Sequence, residues 1–203
     1  MIWSSIISTT VSFFCWRLWQ GLIPVDVVIQ RRIGSHMASR CQYCSAIKTI
    51  QHLFIDSCIA NQVWRHFSDI FHVTLWPMEG FPYRFQSWRF LGQFVRQGHI
   101  RTIVPLLILW FIWIARNDAK YQNISMEPKQ IIWKVYHTIF LLHTCHLFQV
   151  IHWRRDMDII PLFGISLTTP SLPPPVLVYW RTPPDGSYKV NTDGCVKDGF
   201  ASG

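Results

Sequence analysis

Between Ala60 and Phe71 the apolar residues recur at helical spacing. Ala60, Val63, Trp64, Phe67, Ile70 and Phe71 share one stripe, while Arg65, His66 and Asp69 take the other faces. The pattern predicts an amphipathic α-helix that ends near His72. Upstream, Val11, Phe14, Cys15 and Leu18 mark a first helix, which Thr9 or Thr10 can cap and Gly21 can close. Pro24 separates it from a short segment over Val25 to Arg32 that Gly34 closes. After the breakers Pro77, Gly80 and Pro82, the pattern allows a helix around Trp88 to Val95. The run Ile103 to Arg116 is apolar on every side, and Pro105 is expected in its first turn, where a missing N–H is tolerated. Its thirteen apolar residues, Ile103 to Ala115, fall short of the ~20 that cross a bilayer, so a buried core helix and no membrane partner are expected. A last helix starts near Ser125 and Pro128 and is expected to reach about Val150 through Ile131, Ile132, Val135, Ile139, Leu142 and His146.

The pattern then changes. Thr168 to Pro175 reads as a stiff polyproline-like linker, and Pro183-Pro184-Asp185-Gly186 reads as a turn. Tyr188, Val190 and Thr192 alternate with Lys189, Asn191 and Asp193 in the period of a β-strand. A lone strand needs partners that the ten residues after it do not supply, so the chain is expected to stop inside a domain. The fold class is mainly α. The expected divisions are a helical domain over 1–80, a helical connecting region over 81–165, a proline-rich linker over 166–186, and the truncated start of a further domain over 187–203 that opens with this strand.

Composition adds constraints. Half of the 203 residues are apolar, so a sizeable core can form and a disordered chain is excluded. Eleven Trp and fourteen Phe beside only 15% charged residues require much aromatic surface to be hidden in a core or against a partner. The formal charge of +8 suits a polyanion such as nucleic acid. The cations are scattered, however, with only Arg31-Arg32 and Arg154-Arg155 adjacent, so no basic run marks the contact. Arg116, Asn117, Asp118 and Lys120 read as a solvated helix end. The apolar N-terminus has no basic region ahead of it, and Arg17 interrupts it before any cleavage site. An intracellular protein, nuclear or cytoplasmic and not secreted, is expected.

Cys41-Gln42-Tyr43-Cys44 followed by His52 and Cys58 carries the candidate chemistry. Zinc takes four N or S ligands in a tetrahedron; a C-x-x-C turn offers two from one knuckle, and His52 and Cys58 can close the shell. The plainer readings are a turn with two thiols at Cys41 and Cys44, a core histidine at His52, and an unbound thiol starting a helix at Cys58. Ser57 is the expected cap of that helix. His143, Cys145 and His146 sit close together in an apolar helix and are expected to pack rather than bind metal.

Three blocks carry a family likeness: Phe14 to Trp19 with Gly21 to Pro24, the cysteine knuckle with His52-Leu53-Phe54 and Val63-Trp64, and Trp180 through Tyr188 to Gly194. Together they resemble the C-terminal region of plant non-LTR (LINE-type) retroelement polyproteins, in which a reverse transcriptase zinc-binding domain precedes a linker and a ribonuclease H type domain. Trp110 to Lys120 resembles the connecting helix of the same proteins. The resemblance implies nucleic-acid partners, whether RNA, DNA or their hybrid, and zinc in the knuckle. It also places Asp193 as the first carboxylate of a two-magnesium centre, which needs further carboxylates from distant elements to hold its cations about 3.5 to 4 Å apart. Those proteins usually read H-L-F-x-x-C, with Ala three residues after the cysteine. Here Ser57 stands in the cysteine's place and Cys58 follows one residue later. Cys58 ligates if it lies in the turn before the helix; once the helix has begun, three ligands remain. The expectation is a non-catalytic, retroelement-derived nucleic-acid-binding fragment. The alternatives are a remnant without specific binding and an RNA–DNA hybrid endonuclease if the product continues past Gly203.

Overall fold

Ser8, rather than Thr9 or Thr10, caps the first helix in the computed structural model of the protein. Helix α1 spans Thr9–Trp19, with Ser8 extended and its hydroxyl accepting the Val11 N–H at 3.4 Å. It closes in a Schellman turn: Leu22 N–H reaches the Arg17 carbonyl at 2.8 Å and Gly21 N–H the Leu18 carbonyl at 3.0 Å. That turn needs the left-handed backbone Gly21 adopts, φ 67°. Helix α2 spans Asp26–Ile33 and ends at Gly34.

The structure describes residues 3, 5–34, 40, 41, 44, 46–74, 88, 99–166, 185, 186, 195–197 and 200–202. The chain divides into two units, Met1–Leu167 and Thr168–Gly203. In the first, α3 spans Cys58–Phe71 on the stripe that its periodicity predicts. α4 spans Ile100–Asn117 and α5 spans Pro128–Thr144. Two short 3₁₀ segments follow, Val150–Trp153 and Met157–Phe163.

Two boundaries differ from expectation. α4 starts at Ile100 because His99 caps it, so Pro105 lies in the second turn and removes the N–H that would bond the Arg101 carbonyl. α5 stops at Thr144, well before Val150, because His146 turns left-handed at φ 58° and Leu147 N–H returns to the Leu142 carbonyl at 3.0 Å. Cys145 and His146 therefore stand exposed instead of packed.

Part of the aromatic surplus among the described residues builds the core, while Trp3, Phe13, Trp16, Trp19 and Trp133 are exposed. Phe14 of α1 packs against Trp110 and Trp113 of α4, with ring centroids 5.3 and 5.8 Å away, and against Phe54 at 6.1 Å. Trp64, Phe67, Phe71, Trp88, Phe148 and Trp153 are fully buried. α4 packs against both α1 and α5, which is why it is apolar all round. Ile100–Gln122 is long and apolar enough to cross a membrane, and 61% of its apolar window is buried inside this core.

His99 ties the start of α4 to the C-terminal segment of this unit. Its Nδ1 accepts the Arg101 N–H at 3.2 Å and its Nε2 lies 2.6 Å from the Arg154 carbonyl, roles that together require a neutral ring protonated on Nε2. Arg101 grips Asp156 through two nitrogens at 2.6 and 2.8 Å, and the Asp156 carboxylate lies 3.8 Å from His99. Burial pushes the His99 pKa down; the Arg154 hydrogen bond and Asp156 oppose it, and Arg101 and His152 reinforce it. A group whose folded pKa is depressed binds more protons when unfolded, so its stabilisation is present above its unfolded value of ~6.5 and fades as pH falls below that. The urea midpoint of the wild-type chain is expected to drop between pH 7.5 and 5.5, and the drop to shrink in His99→Asn, which keeps a capping oxygen. An equal drop in both proteins contradicts the assignment.

The second unit is described at two places. Asp185 and Gly186 form the predicted turn, with Gly186 at φ 83°. Strand β1, Cys195–Lys197, pairs antiparallel with β2, Phe200–Ser202, in the register Val196 opposite Ala201. The alternating segment Tyr188 to Thr192, Asp193, the polyproline stretch 168–175 and all of the Trp88 to Val95 segment except Trp88 lie outside the described residues.

Candidate metal centre

An antiparallel bridge between Arg40 and Ile47 pins the two ends of the C-x-x-C loop, and Cys41 N–H reaches the Ala46 carbonyl at 2.8 Å. So short a closure turns both thiols towards one point. The chain then enters a helical turn capped by Thr49, whose hydroxyl accepts the His52 N–H at 2.9 Å. That cap sets His52 in the first turn, beside the loop. Behind it, Leu53, Phe54 and Ile55 are buried, and Trp64 of α3 donates its indole N–H to the Phe54 carbonyl at 2.7 Å.

The ligand atoms of Cys41, Cys44 and His52 all lie within 4.8 Å of one another, and Cys44 Sγ is 3.1 Å from His52 Nε2. Tetrahedral zinc with bonds of about 2.0 to 2.3 Å sets its ligand atoms roughly 3.6 to 3.8 Å apart, so small side-chain rotations suffice. Two thiolates and an imidazole are a donor set that suits zinc. Cys41 is buried and the other two are half-buried, so the protein backs the site on one side.

Cys58 is not in this group. The turn His52–Asp56 is a π-turn, closed by Ser57 N–H to the His52 carbonyl at 2.7 Å. Ser57 is extended and caps α3: its hydroxyl accepts the Ala60 N–H at 3.2 Å and donates to the Leu53 carbonyl at 3.3 Å. Cys58 is therefore the first helical residue, and it is exposed. Among the described residues, no fourth Cys, His or carboxylate joins the three. Asp193, the sequence candidate for magnesium, lies outside the described residues, and His143, Cys145 and His146 form no such cluster.

The sequence reading missed how the knuckle is fastened to the helices. Asp26, at the start of α2, is 3% exposed and faces three cations: Lys120 Nζ at 2.8 Å, Arg116 at 3.3 Å and Lys48 at 3.6 Å. Lys48 lies between the C-x-x-C loop and His52, whereas Arg116 and Lys120 come from the end of α4 and the π-turn Asp118–Gln122 after it. Arg116 is 4% exposed and its guanidinium lies 4.9 Å from the Trp113 ring centre. Burial pushes the Asp26 carboxyl up, but the Lys120 hydrogen bond and the charges of Lys120, Lys48 and Arg116 outweigh it and hold the pKa below the usual carboxylate value. What reads as a solvated helix end is a buried ion cluster. No local pattern announces it, because its members come from three separated segments.

A family model described as zinc-binding in reverse transcriptase matches residues 1–64, which include all three gathered ligands. No curated protein and no solved structure matches the chain at a significant level.

Proposed function

We propose that this chain is a retroelement-derived nucleic-acid-binding unit, in which zinc held by Cys41, Cys44 and His52 orders a knuckle that helps to present basic residues to phosphates. The observation that carries the reading is the convergence of these three side chains inside the segment matched by the reverse transcriptase zinc-binding family. Zinc would contribute a cross-link between a loop and a helical turn, and the metal would be structural. The chain's own residues do the rest. Thr49 orients His52, the Arg40–Ile47 bridge closes the loop, and Lys48 joins the knuckle to α2 and α4 through Asp26. The charge of +8 supplies the attraction for a polyanion.

The reading is one of binding and not of hydrolysis. A two-cation ribonuclease centre needs several carboxylates from separate elements, and the resemblance assigns Asp193 alone. Filter binding of a labelled single-stranded oligonucleotide over a salt series tests the proposal. Three or four phosphate contacts on a single strand give a log–log slope of about −2 to −3, a loss of roughly 20- to 50-fold for a fourfold rise in salt. Binding that is absent at low salt, or flat with salt, contradicts it and favours a remnant without specific binding.

A further inference from the structure

Helix α5 turns Trp133 outwards, 61% exposed, although Trp64, Trp88 and Trp153 are buried. Its ring stacks on His137 one turn later, with centroids 4.7 Å apart and planes 16° from parallel, which holds the indole in one orientation. Trp133 lines an open groove of about 450 Å³ together with Ile124, Met126, Lys129, Gln130 and Lys134. Lys129, Gln130, Trp133 and Lys134 follow one another at i, i+1, i+4 and i+5 along the face opposite the buried Ile131, Val135 and Ile139. Two lysines and no carboxylate line the groove, and α5 contains no Asp or Glu at all.

An apolar slot walled by a fixed indole and rimmed by two ammonium groups has the complementarity of an unpaired nucleobase with its flanking phosphates. Every base has a flat face that an indole can cover, and the phosphates on either side need cations at the rim. Paired bases inside a duplex are stacked on both faces and offer no such free face along its length. We infer that this groove binds single-stranded nucleic acid by stacking one base on Trp133, with Lys129 and Lys134 on the adjoining phosphates. The inference rests on the nucleic-acid reading above and deepens it. The contact lies in α5, outside the segment matched by the zinc-binding family, so it does not depend on the knuckle.

The test is fluorescence anisotropy of a labelled 12-nucleotide single strand and of its duplex with the full chain, Trp133→Ala, Trp133→Phe and the double variant Lys129→Ala/Lys134→Ala. Circular dichroism checks that each variant folds, as expected for positions that are exposed at Lys129 and Trp133 and half-buried at Lys134. Trp133→Ala is expected to weaken single-strand binding by about 5- to 150-fold, the range for losing one stacked base, and to leave duplex binding unchanged. Trp133→Phe keeps most of the affinity. The lysine variant lowers the steepness of the single-strand salt dependence by about 1.4. If the wild-type chain binds the single strand and Trp133→Ala binds it equally well, the groove assignment falls and the nucleic-acid reading stands. If the wild-type chain binds neither strand form, both fall. If Trp133→Ala instead converts a sedimenting dimer to a monomer without touching oligonucleotide affinity, the groove seats a second copy of the chain and the inference is overturned.

Discussion

Asp26→Asn is expected to cost about 3 kcal/mol of folding stability, read as a fall in the urea midpoint with little change in slope. Removing one partner of a buried ion pair leaves the other charge without compensation, which typically costs about 3 to 5 kcal/mol. Asp26 serves three cations, so its loss strands all of them. Lys120, with 23% of its side chain exposed, and Lys48, with 11%, can regain some water, whereas Arg116, with 5%, cannot. The expected cost therefore sits at the lower end of that range. The same cluster makes a statement about acid. Because the Asp26 pKa is held below its unfolded value, its stabilisation is whole above about pH 4 and is lost as pH falls through the folded value. Asp26→Asn should lose stability less steeply than wild type below pH 4. A cost under about 1 kcal/mol at neutral pH would show that the cluster is a surface ornament rather than the joint between knuckle and helices.

The helices were legible where hydrophobic spacing was regular and a glycine marked the end. α3 follows its apolar stripe, and α1 and α2 close at Gly21 and Gly34. Ends made by residues with no turn preference were less so. His146 takes a left-handed conformation that costs a side-chain-bearing residue about 1 to 2 kcal/mol, and the packing of Phe148 and Trp153 behind it decides the matter, which no local pattern records. His72 does the same at the end of α3, where the expected boundary was right without its mechanism being visible. Charge proved the hardest to read. Lys48, Arg116 and Lys120 look solvated one at a time, and only the fold brings them to Asp26. At the knuckle, the spacing of Cys41, Cys44 and His52 was enough to bring the three together. The placement of Cys58 depended on whether the helix had started, and the Ser57 cap decided it.

That cap leads to the second large effect. Cys41→Ser, Cys44→Ser and His52→Ala are each expected to weaken zinc binding by at least about 100-fold, beyond the 10- to 100-fold typical of residues that only orient a ligand. Cys58→Ser is expected to change it less than about twofold, because that thiol is exposed at the head of α3. Ser57→Cys puts a thiol at the position where the resembled proteins carry theirs. It should tighten binding if that thiol reaches the metal, while giving up part of the roughly 1 kcal/mol that the hydroxyl cap contributes. Competition with a coloured chelator ranks all five variants on one scale. Equal losses in Cys58→Ser and Cys44→Ser would mean that the first turn of α3 unwinds to complete the shell.

The direct measurement is zinc bound per chain after purification in zinc and exhaustive dialysis, on the wild-type protein and on Cys41→Ser side by side. Close to one equivalent is predicted for the wild type and less than about a tenth for the variant. A wild-type chain that comes through dialysis without zinc, or a variant that keeps a full equivalent, would contradict a metal centre at Cys41, Cys44 and His52.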